Sequence, residues 1–162
     1  MGGCLSKHFE MDISQAIAEA AEAARPAAAR GRVADYIDQL ANVDPTRFGL
    51  AVVELDGTEH VIGDIDTPFP IQSMSKVFAL VLAMQRIGDE GAVHREIWER
   101  VGREPSGDPF NSLVQLEYEC GIPRNPMINA GALVIDDLLI EHCTDPVASM
   151  LEMVRELAGE DI

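Results

Sequence analysis

The chain has 162 residues, 47% of them apolar, which is enough for one domain with a buried core. Twelve basic against 28 acidic residues leave a formal charge of −16. That field repels phosphate backbones and anionic lipid, so no nucleic-acid partner is expected. The apolar run Val77–Met84 is too short to span a bilayer, and no membrane span is expected.

The first residues, Met1-Gly2-Gly3-Cys4-Leu5-Ser6, fit the N-myristoylation pattern, with an acylatable cysteine beside Gly2. They lack the long apolar region of a secretory signal. The alternative is that Met11 is the true start and residues 1–10 are an N-terminal extension. The bacterial, Ala/Arg-rich style of the next twenty residues favours this second reading.

Asp12 and Gln15 have the spacing of a capping box, and Ile13, Ala16, Ile17, Ala20 and Ala24 share one helical face. Pro26 either interrupts this helix or begins another turn, and Gly31 ends it. Val33 to Leu40 reads as a short helix carrying Tyr36. Phe48 to Leu55 and Thr58 to Ile62 read as two strands joined by the Asp56-Gly57 turn. The next helix opens at Ser73 and ends near Gly88. Val93 to Val101 should be helical, with Trp98 in its apolar stripe. Two Gly/Pro-rich loops, Gly102–Asn111 and Gly121–Pro126, enclose one or two helical turns over Leu113 to Glu119. Ordered loops of that kind tend to shape sites. Asn129 opens a helix reaching about Ile140, and Pro146 to Ala158 forms a last amphipathic helix. Five or more helices thus accompany only two strands, and a lone hairpin is marginal in water.

Three cysteines (Cys4, Cys120, Cys143) at irregular spacing read as reduced thiols of a cytoplasmic protein. The four histidines (His8, His60, His94, His142) lack ligand spacing, so no metal site is expected.

The chemistry is concentrated in Ser73-Met74-Ser75-Lys76. On a helix, i and i+3 share a face, so the Ser73 hydroxyl and the Lys76 ammonium become neighbours. Serine needs a proton acceptor before it attacks, and a lysine in a buried site can serve. Backbone N–H groups at the helix start would face a developing oxyanion. The tetrad alone is a weak signal.

Four segments together carry far more. Val33-Ala-Asp-Tyr-Ile37, Ile71-Gln-Ser-Met-Ser-Lys76, Gly102-Arg-Glu-Pro-Ser-Gly-Asp-Pro-Phe-Asn-Ser-Leu-Val-Gln-Leu-Glu117 and Gly121-Ile-Pro-Arg-Asn-Pro-Met-Ile-Asn-Ala-Gly-Ala132 closely resemble the serine-dependent glutaminase family. The resemblance implies an α/β (α+β), β-lactamase-like fold, here truncated to a hairpin, helices and part of a helical subdomain. It implies hydrolysis of L-glutamine to L-glutamate and ammonia through a glutamyl-serine ester, without a cofactor, in a cytoplasmic homo-oligomer (dimer or tetramer when complete). Ser73 corresponds to the nucleophile, Lys76 to the general base and Tyr36 to a tyrosine assisting proton transfer. Gln72 and Asn129 correspond to residues that line the pocket and bind substrate. An asparagine offers both donor and acceptor to a zwitterionic amino acid.

Each assignment has a plainer alternative. Tyr36 sits among apolar neighbours and could be a packed tyrosine; Asn129 could serve only as the N-cap of its helix. Ser75 reads as a packing or capping hydroxyl, and Arg103, Arg124 and Asp108 as loop-fixing. Asp38 stands where family members usually carry proline, which bears on how Tyr36 is aimed. Family members are about twice this length, so residues 11–162 are expected to form the N-terminal half of a single catalytic domain. The rivals are an inactive fragment or subunit-interaction module, and a penicillin-interacting acyl-serine hydrolase.

Overall fold

The computed structural model describes residues 12–28 and 30–159. The expected extension over residues 1–10, with Gly2, Cys4 and His8, and the alternative start at Met11 lie outside them. The chain divides into two compact units, Met1–Phe69 and Pro70–Ile162.

In the first unit, α1 (Ile13–Ala28) begins where Asp12 Oδ1 accepts the Gln15 N–H at 3.1 Å, half of the expected capping box. The Gln15 side chain turns instead to Glu19, 2.8 Å away. Pro26 neither breaks the helix nor restarts it; the helix runs through to Ala28. The expected helix over Val33 to Leu40 shrinks to α2 (Asp38–Ala41), and Tyr36 lies in the segment before it. β-Branched Val33 and Ile37 and the missing capping side chain give that stretch little helical preference.

Strands β1 (Gly49–Val53) and β2 (Glu59–Gly63) form an antiparallel hairpin pairing Gly49 with Gly63 and Val53 with Glu59. Gly57, at φ +89°, makes the expected turn. Asp56 Oδ1 accepts the Thr58 N–H at 2.9 Å, which lowers its carboxyl pKa from the ordinary value. Leu50, Val52, His60 and Ile62 are half-buried on one face, while Ala51, Val53 and Val61 are exposed on the other. Helix α1 lies against β2 through buried Ile17 and Ala21. His60 pins the two together, with Nδ1 2.8 Å from Ser14 Oγ and Nε2 2.6 Å from Glu54 Oε1. At the hairpin's end Gly63 takes φ +82°, and a Cβ there would fall 2.1 Å from the Phe48 carbonyl oxygen. Only glycine fits.

The second unit is helical. A single 3₁₀ turn (Gln72–Met74) leads into α3 (Ser75–Ile87), which ends on Gly88 at φ +75° as expected. Short α4 (Glu90–Val93) runs into a π-helical turn, His94–Trp98, and α5 (Val114–Tyr118) separates the two loops. Helix α6 (Asn129–His142) packs on α3, followed by α7 (Pro146–Ala158). Proline at the first position of α7 and Asp145 capping the Ala148 N–H at 2.9 Å set its start. Ala79, Leu82 and Ala83 of α3 meet Ile135, Leu138 and Leu139 of α6, with Val93, Ile97 and Val101 closing the core. Trp98 is packed at its edge, under the Arg103 guanidinium 5.3 Å from the ring centre.

Candidate active site

Ser73 lies in the 3₁₀ turn rather than in α3 itself, and it is exposed. The residue before it, Gln72, holds φ +46°. For a residue with a Cβ that left-handed conformation costs about 1–2 kcal/mol. That strain falls directly before Ser73. The Ser73 hydroxyl makes no hydrogen bond to a described residue, so it is presented open.

Lys76 follows one turn later. With Ala79 and Ala83 it occupies the i, i+3, i+7 face of α3 that packs toward α6. Its Nζ donates to the Met127 carbonyl at 3.0 Å and to Asn129 Oδ1 at 2.8 Å. It also stands 5.7 Å from the centre of the Phe110 ring. The two acceptors fix the position of Nζ between the loop and the first residue of α6. Lys76 is one of two lysines in the chain; the other ten basic residues are arginines, which cannot deprotonate to act as a base.

The acceptors are held by the two loops the sequence singled out. Gly102 N donates to Pro123 O at 2.7 Å, and Glu104 N to Arg124 O at 3.0 Å. Asn125 locks the pair: its Nδ2 donates to Glu104 O at 2.8 Å, while its Oδ1 accepts from Met127 N at 2.9 Å and Ile128 N at 3.1 Å. Asn129 N donates to Phe110 O at 2.9 Å. Gly131 lets α6 press on this loop, since a Cβ there would lie 1.9 Å from Asn125 O. Arg124 ion-pairs with Glu119 at 2.6 Å and so fixes its loop, as expected. Ile128, not Asn129, is the N-cap of α6, with no side-chain cap bond. The Asn129 side chain is therefore free for Lys76, and the capping alternative falls away.

A pocket of about 180 Å³ opens beside Lys76, between α3, α6 and Met150 of α7. Ser75 lines it, in keeping with a packing hydroxyl. So does Asp136, whose carboxyl pKa is raised by partial desolvation at the pocket wall, against the pull of the Lys76 charge. Sequence reasoning missed Phe110, the Met127 carbonyl, Asn125 and Asp136. For Asp136 a signal existed: it is an acidic residue in an apolar helix, seven positions after Asn129 and so on the same face.

The second unit thus brings Ser73, Lys76 and Asn129 onto neighbouring elements, with Gln72 beside Ser73. Tyr36 belongs to the first unit and is 73% exposed, so it is not packed as a core tyrosine. Among the described residues no group of histidines, cysteines and carboxylates could hold a metal ion, and Cys120 and Cys143 are free thiols. No described helix is long and apolar enough to cross a membrane.

Comparison with known proteins finds glutaminases in sequence and in structure. A glutaminase from Caulobacter vibrioides (strain NA1000 / CB15N) is 51% identical over 150 residues, covering 93% of this chain and 47% of the relative. The chain therefore spans about half the length of the curated relatives it matches. Among solved structures, Mglu in its tris and glutamate form overlays with a TM-score of 0.72 at 34% identity, over 94% of this chain and 33% of Mglu. A Bacillus subtilis glutaminase, in covalent complex with 5-oxo-L-norleucine formed by reaction with 6-diazo-5-oxo-L-norleucine, gives 0.66 at 28% identity, over 91% and 44%. The expected α/β, β-lactamase-like architecture, helix-rich with a two-stranded sheet among the described residues, is that of these neighbours. A sequence model of the family described as Glutaminase matches residues 31–162, and the chain belongs to the glutaminase family.

Proposed function

We propose that this chain carries the nucleophile and the general base of an enzyme that hydrolyses L-glutamine to L-glutamate and ammonia. The observation that carries the reading is Lys76 Nζ held between Met127 O and Asn129 Oδ1, one turn after Ser73. Neutral Lys76 takes the Ser73 proton as Oγ attacks the side-chain amide carbon. The tetrahedral oxyanion is met by the Ser73 backbone N–H and by donors from the rest of the enzyme. Collapse breaks the C–N bond; the proton on Lys76 passes to the leaving nitrogen, with Tyr36 assisting, and ammonia departs. Water then adds to the glutamyl ester, giving its proton back through Lys76, and releases glutamate and Ser73. Gln72, beside the nucleophile, lines the substrate site of the complete enzyme, and Asn129 binds the amino-acid end of the substrate while it holds Lys76. The covalent complex of the Bacillus subtilis glutaminase, formed by reaction with 6-diazo-5-oxo-L-norleucine, supports a covalent course of reaction.

A cytoplasmic location and a homo-oligomeric complete enzyme, a dimer or tetramer, belong to the same reading. So does the placement of residues 11–162 in the N-terminal half of one catalytic domain. The test is activity of point variants. Ser73→Ala should abolish ammonia release from glutamine while leaving the folded protein intact by circular dichroism. Undiminished turnover would end the reading.

A further inference from the structure

Two of the site's hydrogen bonds run through one peptide unit. The Met127 carbonyl accepts from Lys76 Nζ at 3.0 Å, and the N–H of the same unit, that of Ile128, donates to Asn125 Oδ1 at 3.1 Å. The unit is planar, and no cis bond occurs among the described residues, so its C=O and N–H point in opposite directions. Whatever holds the N–H therefore aims the carbonyl. Asn125 Oδ1 also accepts the Met127 N–H at 2.9 Å, an Asx turn closed across Pro126, which has no N–H of its own. Two backbone donors on one oxygen settle which end of the side-chain amide is which. The other end, Nδ2, donates to Glu104 O at 2.8 Å. Asn125 is thus anchored on the neighbouring loop at one end and grips the 127–128 peptide with the other.

We propose that Asn125 is a positioning residue for the reaction: by holding the 127–128 peptide it aims the Met127 carbonyl at Lys76, and so fixes where Nζ stands one turn after Ser73. This rests on the reading of Lys76 as general base. Asn125 acts through the peptide and touches no reacting group in this account. A lysine has a flexible four-carbon stem, so its place beside a serine depends on acceptors that are themselves fixed. Its second acceptor, Asn129 Oδ1, belongs to the residue that directly follows the gripped peptide.

Met127–Ile128 is the one Met-Ile pair in the chain. Methionine labelled with ¹³C at the carbonyl and isoleucine labelled with ¹⁵N therefore give a single carbonyl–amide correlation, which reports both bonds at once. In the parent, the Ile128 amide should exchange with solvent at least about tenfold more slowly than in the unfolded chain. Lys76→Met should move the Met127 carbonyl upfield, because its donor is lost. In Asn125→Ala the Ile128 amide proton and the Met127 carbonyl should both move upfield, the carbonyl in the direction set by Lys76→Met. Asn125→Asp, which keeps the acceptor oxygen and drops the donor to Glu104, should leave both signals near the parent's. Glutamine turnover should fall about tenfold or more in Asn125→Ala and by clearly less in Asn125→Asp. An unprotected Ile128 amide in the parent, or a carbonyl that ignores Lys76→Met, overturns the proposal whether or not the Asn125 variants fold. So does Asn125→Ala with an unmoved carbonyl or parent-like turnover, or Asn125→Asp with signals displaced as far as those of Asn125→Ala. The spectra do not depend on turnover. Failure of the base assignment itself would appear separately, as full glutaminase activity in Lys76→Met.

Discussion

Asn129 Oδ1 lies 2.8 Å from Lys76 Nζ, a bond between the first residue of α6 and the first turn of α3. It ties the side chain next to the strained Ser73 turn to a loop that is itself cross-linked through Asn125. The ammonium nitrogen is thereby placed by two helices and two loops rather than by its own flexible stem.

Lys76 variants should separate charge from proton transfer. Lys76→Met should lower glutamine turnover by about two orders of magnitude or more. Lys76→Arg keeps a cation and its donors yet offers no lone pair, and it should be nearly as inactive. Steady-state ammonia release measures both. An active arginine variant would mean that Lys76 serves as a fixed charge.

Asn129→Ala removes one acceptor from Lys76 and a proposed contact to substrate. Loss of a hydrogen bond to a charged group costs about 1.5–3 kcal/mol. Calorimetric titration of glutamine and steady-state kinetics should both register it. Parent-like values in the two measurements would remove Asn129 from the site.

Gly131→Ala tests the contact between α6 and the Asn125 loop without touching a reacting group. Its Cβ would fall 1.9 Å from Asn125 O, so the backbone must move, at a cost of about 1–3 kcal/mol or more. Thermal unfolding should shift down clearly. An unchanged midpoint would show that this loop is not held against the helix.

The elements that local chemistry decides were legible in the sequence. Asp56-Gly57, Gly88 and Asp145-Pro146 each mark a turn or a helix end, and the hairpin, the end of α3 and the whole of α7 fall where expected. The elements that packing decides were not. Helix α1 passes through Pro26, and the helix expected around Tyr36 is mostly irregular chain. The S-x-x-K tetrad and the motif resemblance pointed to Ser73, Lys76 and Asn129. They did not disclose that Ser73 would precede α3, because a 3₁₀ turn and the first turn of an α-helix have the same i, i+3 pattern. Phe110 and the Met127 carbonyl were hidden for another reason: a backbone oxygen carries no sequence signature, and the contact joins positions 51 residues apart.

Two aspartates give a pH prediction. Asp44 accepts from the hydroxyl and backbone N–H of Thr46, and Asp56 from the backbone N–H of Thr58; each carboxyl is held below its ordinary value of 3.8. A carboxyl lowered by folding contributes stability above its unfolded pKa, and loses it as pH falls through the folded one. Asp44→Ala and Asp56→Ala should therefore each destabilise the protein at pH 7, with the deficit shrinking as the pH falls below about 3.8 toward 2. Denaturant unfolding at both pH values would check this. A deficit that stayed constant with pH would assign the effect to turn geometry rather than to charge.

The central claim is that Ser73 is the nucleophile. The most direct test is reaction of the protein with 6-diazo-5-oxo-L-norleucine, followed by proteolysis and tandem mass spectrometry. The account predicts one adduct, on Ser73 within the peptide Ile71-Gln-Ser-Met-Ser-Lys76, and none in Ser73→Ala. An adduct on Ser75, Cys120 or Tyr36 that persists in Ser73→Ala would contradict it.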